Sequence, residues 1–352
     1  MDLFEQLKTD KHEQLMLCND AQSGLQAIIC IHNTNLGPAI GGIRFFPYPT
    51  QSHAIQDALR LSKAMTYKSA LAGLSLGGGN AVIIGENALK SEVLFRSFGR
   101  YVQSLNGRFI GGEDMNTTVE DMNHIRKETQ WVLGSSIANR SGQTASMTAY
   151  GVVQAMRACI EIRFGTTELT GKKVAIQGVG AVGFQVAKLL HTHGADLLYH
   201  DLSSRNLTRV MQEFPGTVIT GDFYSTPCDI LSPCAVGGVL NQRTIPRIVA
   251  PIVVGAANNQ LENELLDAQS LKEKDILYAT DYAVNSGGLI FVTSEMVGSS
   301  VQRAKEDTAN IFNTIKRVIE LASQQNTNTW IAANQLAEER MRSIAMLKNF
   351  FL

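Results

Sequence analysis

The chain has 352 residues, 44% of them apolar and 18% charged, with a formal net charge of −1. That length exceeds what one hydrophobic core usually supports, so two domains are expected. The balanced charge offers no basic surface for nucleic acid or an anionic membrane, and no uncharged apolar run approaches the roughly 18 residues of a membrane span.

The N-terminal stretch MDLFEQLKTDKHEQ is polar and acidic, where a secretory leader would be basic and then apolar, so a cytoplasmic location is expected. Five cysteines (Cys18, Cys30, Cys159, Cys228, Cys234) are odd in number, scattered and without C-x-x-C, and read as reduced core thiols. The histidines give no metal-ligand spacing: His191 and His193, two apart, would fall on different faces of a helix. No metal is expected.

Before residue 135, short apolar runs (AIICIHN, NAVIIG, RFIGG) mix with amphipathic helices. In SHAIQDALRLSKAMTYK, Ile55, Leu59 and Met65 lie roughly on one face, with Lys68 at or just past the helix end. GLSLGGGNAVIIGEN follows, in which three glycines let backbone approach something closely just before Asn80. They cannot form a G-x-x-x-x-G-K-[ST] phosphate loop, because Asn80 and Ala81 supply neither the lysine nor the hydroxyl. A plainer alternative is a tight turn or bulge feeding a strand at 81–84. Small and polar residues then cluster in GSSIANRSGQTAS, which predicts a hinge near 133–145.

From about 170 the texture changes. KVAIQG, ADLLYHD, CDILSP, PIVVGAAN and DILYAT are short β-runs separated by helical or turn-rich stretches, as in a parallel α/β sheet. The first of them leads into G-x-G-x-x-G at Gly178, Gly180 and Gly183, followed by a helix, a second strand and Asp201. Gly178 suits the tight turn, Gly180 admits a pyrophosphate, and Gly183 lets the helix pack on the strand. Asp201 can accept from both ribose hydroxyls and would repel a 2′-phosphate, so NAD is favoured over NADP, a preference that Arg205 nearby weakens. Two helices finish the chain, one with Ile311, Ile315, Val318 and Ile319 on its apolar face, the other over 331–349, and the end KNFFL is short and apolar. These observations predict an α/β protein: an N-terminal α/β catalytic domain over 1–132, with 331–352 packing back on it, and a C-terminal Rossmann-type NAD-binding domain over 133–330, with a cleft between them.

In LGPAIGGIR, ALRLSKAMTYKSA, GLSLGGGNAVIIG, GRYVQSLNGRFIGGED, MTAYGV, QGVGAVG, PCAVGG, AANNQL and DYAVNSGG, taken in order, the chain resembles the Glu/Leu/Phe/Val dehydrogenases, most of all their leucine and phenylalanine branch. The resemblance implies reversible, NAD-dependent oxidative deamination of an L-amino acid to a 2-oxo acid and ammonia by a homo-oligomer. It makes Lys68 the partner of the substrate carboxylate, a role that a mobile ammonium suits. Asp114 becomes the proton shuttle for the amine, with a helix cap over the following NTTVEDM run as the lesser and not exclusive alternative. Thr148 would contact the nicotinamide amide, and Asn258 the nicotinamide ribose and substrate amine. Gly41 and Gly42 would lie beside the substrate. Ile40, Gly112, Leu289 and Val292 would line its side-chain pocket, an apolar lining that implies an aliphatic or aromatic amino acid rather than glutamate.

One position departs from the family pattern. The resemblance implies a lysine after the glycine triplet, activating water for attack on the imine and polarising the carbonyl, but this chain has Asn80. An amide can donate a hydrogen bond but neither gives nor takes a proton near neutral pH. Three readings follow: a dehydrogenase, slowed or not, in which Asp114 and water move the protons; a pseudoenzyme that binds NAD and an amino or 2-oxo acid for sensing or mixed assembly; and reduction of an imine formed elsewhere, for which hydride transfer suffices.

Overall fold

The computed structural model describes residues 3–134 and 141–347; residues 135–140 of the hinge expected near 133–145, and the KNFFL tail, lie outside the described residues. Packing divides the chain into two units, 1–139 with 337–352, and 140–336. The first unit contains α1 (Leu3–Asp10), β1 (Gln14–Asp20), β2 (Leu25–Asn33), β3 (Ala39–Phe46), α2 (Gln51–Leu71), β4 (Gly77–Ile84), α3 (Glu92–Ser104), β5 (Phe109–Glu113) and α4 (Val119–Arg126). In the second, α5 (Ser141–Phe164) precedes β6 (Lys173–Gln177), α6 (Ala181–Thr192), β7 (Asp196–His200), α7 (Ser204–Glu213), β8 (Thr217–Val218) and β9 (Ile230–Pro233). After these come β10 (Ile252–Val253), α8 (Glu264–Glu273), β11 (Leu277–Tyr278), α9 (Asp281–Val284), α10 (Gly287–Met296), α11 (Val301–Ala309), α12 (Ile311–Gln324) and α13 (Thr329–Leu347), whose end returns to the first unit.

The first unit is built on a mixed sheet ordered β1-β2-β4-β3-β5, with β3 parallel to β4 and β5 and with β2 antiparallel to β1 and β4. Alternation along the strands gives it two faces. Ile43, Phe45, Ala81 and Ile83 pack with Leu94, Phe95 and Phe98 of α3 and with Met122 and Ile125 of α4. On the opposite face, Ile28, Cys30 and Val82 pack against Ala54, Ala58 and Leu59 of α2.

Thr50 caps α2 by accepting from the His53 N–H, and the residues it buries are mostly small: Ala54, Ala58, Ser62, Thr66 and Ser69 beside Leu59. That stripe explains the glycine triplet. A Cβ on Gly78 would lie 2.1 Å from the Thr66 nitrogen, one on Gly77 2.0 Å from the Asn33 carbonyl oxygen, and one on Gly79 2.9 Å from the Phe109 ring. The glycines are therefore strand residues that let the backbone of α2 rest on β4. β4 begins at Gly77 rather than at 81, so the glycines lie within the strand; a turn at 72–73 precedes it, and the register irregularity beside the glycines lies in β2, between Ile31 and Asn33. Lys68 sits within the last turn of α2, which runs on to Leu71. The end of that helix is held by Arg340 of α13, whose guanidinium donates to the carbonyls of Ala70 at 2.7 Å and Gly73 at 2.6 Å, while Tyr67 donates to Glu338 at 2.8 Å.

Beneath α2 lies a buried imidazole. His32 of β2 places Nδ1 2.8 Å from the Thr66 hydroxyl and donates from Nε2 to the Asp10 carbonyl at 3.0 Å. Burial, reinforced by His12, lowers its pKa from the ordinary 6.5 to about 3. The unfolded chain therefore takes up a proton near 6.5 that the folded chain refuses until about 3, so stability present above 6.5 is lost as pH falls through that window. Thermal melting across it is expected to show this slope, and His32→Gln to flatten it.

In the second unit the sheet is wholly parallel, ordered β11-β10-β9-β6-β7-β8. The chain starts in the middle, runs outward to β8, then returns to β9 on the other side of β6. This is the doubly wound arrangement, whose crevice opens where the order reverses, between β6 and β9. The four apolar residues expected on α12, Ile311, Ile315, Val318 and Ile319, are all buried.

Candidate active site

In the first unit the structure brings Asn80, Gly42, Asp114 and Arg44 together. The β3–β4 register pairs Ile40 with Gly78 and Ile43 with Ala81, skipping the residues between. A Cβ on Gly41 would come within 1.7 Å of the Gly79 carbonyl oxygen, so only glycine fits this approach. The Gly42 N–H, set free from the ladder, donates to Asn80 Oδ1 at 3.0 Å, and Asn80 Nδ2 donates to the Ala81 carbonyl at 3.1 Å. Asn80 is only 2% exposed. Its amide thus spans the gap in the β3–β4 ladder.

Asp114 stands immediately past β5, with its carboxylate over the bare Cα of Gly42: a Cβ there would meet Asp114 Cβ at 2.6 Å and Oδ2 at 2.9 Å. Oδ2 accepts from Arg44 Nε at 3.1 Å. Oδ1 has no hydrogen-bond partner among the described residues. The helix-cap alternative does not hold, because Thr118 caps α4 in a reciprocal box with Asp121. Ile40, Gly42 and Arg44 share one face of β3 by alternation. Ile40 is buried, and a Cβ on Gly112 would have only the Leu133 Cβ near it, at 3.8 Å.

The second unit holds the other expected residues. Gly178 has a φ of +85°, and a Cβ on it would strike Ala235 at 2.6 Å, so the loop after β6 lies against the loop after β9. A Cβ on Gly183 would lie 1.9 Å from the Gly178 carbonyl oxygen, whereas one on Gly180 would meet nothing within 4 Å. Gly180 begins α6 without a side-chain cap, while Thr50, Ser91, Thr118, Ser203, Asn263 and Ser300 all cap theirs. The first N–H groups of α6 are thereby left for an anion. Asp201 accepts from the Val179 N–H at 2.8 Å and the Ser203 N–H at 2.7 Å, tying the glycine loop to the turn after β7. An open Gly180, an uncapped helix and a carboxylate held beside the loop fit a dinucleotide. Asp201→Ala is expected to weaken NADH binding by about tenfold or more, read by fluorescence titration.

Thr148 donates to the Thr144 carbonyl at 3.0 Å and lies beside Gly288, whose added Cβ would reach its hydroxyl at 2.5 Å. Leu289 and Val292, three apart on α10, are half-buried, and Ile290 and Phe291 between them are buried. Asn258 accepts at Oδ1 from Asn285 Nδ2, 2.7 Å away, and Asn285 also donates to the Ala256 carbonyl at 3.1 Å. A carbonyl at Ala256 admits only the NH2 side of Asn285, which fixes the flip of both amides.

Residues 12–131 match the family profile described as "Glu/Leu/Phe/Val dehydrogenase, dimerisation domain", and residues 141–201 and 197–348 match "Glutamate/Leucine/Phenylalanine/Valine dehydrogenase". The chain is 45% identical to a leucine dehydrogenase of Thermoactinomyces intermedius, covering 100% of this chain and 97% of that protein.

The chain belongs to the Glu/Leu/Phe/Val dehydrogenase family.

It is also 44% identical to an L-tryptophan dehydrogenase of Nostoc punctiforme over 97% of each chain. The crystal structure of L-tryptophan dehydrogenase from that organism superimposes with a TM-score of 0.88 at 43% identity, covering 97% of this chain and 99% of the other. The two-domain α/β fold and the amino acid dehydrogenase class, oxidoreductases with an NAD-binding Rossmann-type domain, come with this family. Among the described residues no cluster of His, Cys, Asp or Glu could hold a metal ion, and no helix is long and apolar enough to cross a membrane. Arg44 and Asn285 were not singled out from sequence, although both stand in quoted family motifs. An arginine inside an apolar strand is the available signal, because a side chain so placed requires an acid partner.

Proposed function

We propose that this family member catalyses the reversible oxidative deamination of an aliphatic or aromatic L-amino acid, with NAD as hydride acceptor and with Asp114 and water carrying the protons. The observation behind this reading is the Asp114 carboxylate, seated on Gly42 with Oδ2 on Arg44 and Oδ1 open. In this reading Lys68 neutralises the substrate carboxylate, and Asp114 Oδ1 takes a proton from the substrate amine and returns it. Gly41 and Gly42 keep the strand bare beside the reacting carbon; Ile40, Gly112, Leu289 and Val292 face its side chain. Gly178, Gly180, Gly183 and Asp201 hold the dinucleotide at the α6 N-terminus, with Thr148 and Asn258 toward the nicotinamide. When bound, NAD supplies the hydride chemistry. The protein acts as a homo-oligomer in the cytoplasm, consistent with a first unit that matches a profile described as a dimerisation domain.

Asn80 favours a second reading. Its amide is committed to Gly42 and Ala81 and has no proton to exchange, which suits reduction of a preformed imine or binding without turnover. NADH oxidation with ammonia and a panel of branched and aromatic 2-oxo acids tests the main reading, with NADH affinity measured in parallel. Turnover supports it. Tight NADH binding with no turnover on any acid, but with reduction of a preformed cyclic imine, replaces it with the second.

A further inference from the structure

Asp114 is useful for proton transfer only if one oxygen stays free and the carboxylate keeps its place. Three contacts decide this. Gly42 provides the seat. The main chain of Asp114 is fixed by Thr117, whose hydroxyl accepts the Asp114 N–H at 2.9 Å and donates to the Ile43 carbonyl at 2.9 Å. Arg44 takes Oδ2 at 3.1 Å.

Arg44 is itself pinned. Its Nη1 donates to Asp57 Oδ2 of α2 at 2.9 Å, and the Tyr48 hydroxyl donates to the same oxygen at 2.6 Å. The Arg44 and Asp57 side chains are each only 15% exposed. Burial by itself would lower the arginine's pKa, but Asp114 and Asp57 outweigh it and leave the guanidinium more basic than usual. Other charges nearby among the described residues include Arg60, 3.5 Å from the remaining Asp57 oxygen, Glu113 next in the chain, and Lys90, which pairs with Asp121 and reaches the Asn116 carbonyl.

We propose that Arg44 is the positioning residue for Asp114: anchored on Asp57 and Tyr48, it fixes Oδ2 through Nε and leaves Oδ1 as the single proton-exchanging oxygen. This inference rests on the amino acid dehydrogenase reading above. A guanidinium suits the task because it presents two donors in a rigid fork, one for each aspartate, whereas a lysine offers a single movable charge.

The test uses the full-length chain carrying Arg44→Ala or Arg44→Lys. Arg44→Ala is expected to lower kcat by about 10²-fold while leaving NADH affinity near the parent value. The loss is expected in kcat rather than in KM for the 2-oxo acid, since Arg44 acts through Asp114. Added guanidinium ion should restore part of the lost kcat in Arg44→Ala, and Arg44→Lys should fall between the two. A folded Arg44→Ala with unchanged kcat overturns the assignment. So does a loss of melting temperature with no response of kcat to guanidinium, which would make Arg44 a strut only. If the parent turns over no 2-oxo acid, the enzymatic reading fails separately. The 13C chemical shift of the Asp114 carboxyl, assigned with Asp114→Asn, then decides the Arg44 assignment: a changed shift at neutral pH in Arg44→Ala upholds it and an unchanged one refutes it.

Discussion

Asn80→Lys is expected to raise the rate of reductive amination by about 10²-fold or more, the lower range of what a general acid–base group contributes. The backbone at residue 80 is placed by three glycines that press β4 against α2, Asn33 and Phe109, none of which depends on the side chain at 80. An ammonium there would bring both an exchangeable proton and a charge for a developing oxyanion. The same change removes the acceptor of the Gly42 N–H, a half-buried donor whose loss costs about 1 kcal/mol. A faster but less stable enzyme is therefore expected, read by NADH oxidation and thermal melting on the same preparation. Asn80→Ala separates the two effects, since it should lose the stability and gain no rate. If Asn80→Lys folds and is no faster, proton transfer in this chain runs entirely through Asp114.

Gly42→Ala should abolish most of that transfer, with a fall in kcat of about 10²-fold. The added methyl would lie 2.6 Å from Asp114 Cβ and 2.9 Å from its Cγ, a contact that no swing of the carboxylate relieves because Cβ is tied to the backbone. Asp114 must shift, and its pairing with Arg44 shifts with it. Gly112→Ala is the matched comparison. Its methyl would meet only Leu133 at 3.8 Å, so the fold accommodates it and the change is expected in the preferred 2-oxo acid rather than in kcat for the best one. Steady-state kinetics of both variants on the same panel check the contrast. Equal effects from the two would mean that Asp114 does not depend on its seat.

The dinucleotide loop was legible in the sequence because its mechanics are local: a turn glycine, a helix start and a strand end in Asp201 all fall within a short stretch. The long apolar strands and the buried face of α12 were legible for the same reason, since periodicity is a property of neighbouring residues. The glycine triplet was only half legible. Its need for closeness was evident, but the close partner is Thr66 of α2, part of the protein rather than a ligand. What could not be read were contacts between distant segments. Asn80 meets Gly42 across 38 positions and Arg44 meets Asp114 across 70, and no local pattern encodes either pair. The same limit hid the flip of Asn258, which depends on Asn285, 27 positions later.

The Arg340 clamp bears on how this chain can be cut or fused. A gene trimmed to end at the second unit's last residue, Leu336, would retain every strand of both sheets. It would also leave the carbonyls of Ala70 and Gly73 without their guanidinium and take Glu338 from Tyr67. The helix turn that unravels first would then be the one bearing Lys68, so under the role proposed for Lys68 a shortened protein would hold carboxylates poorly.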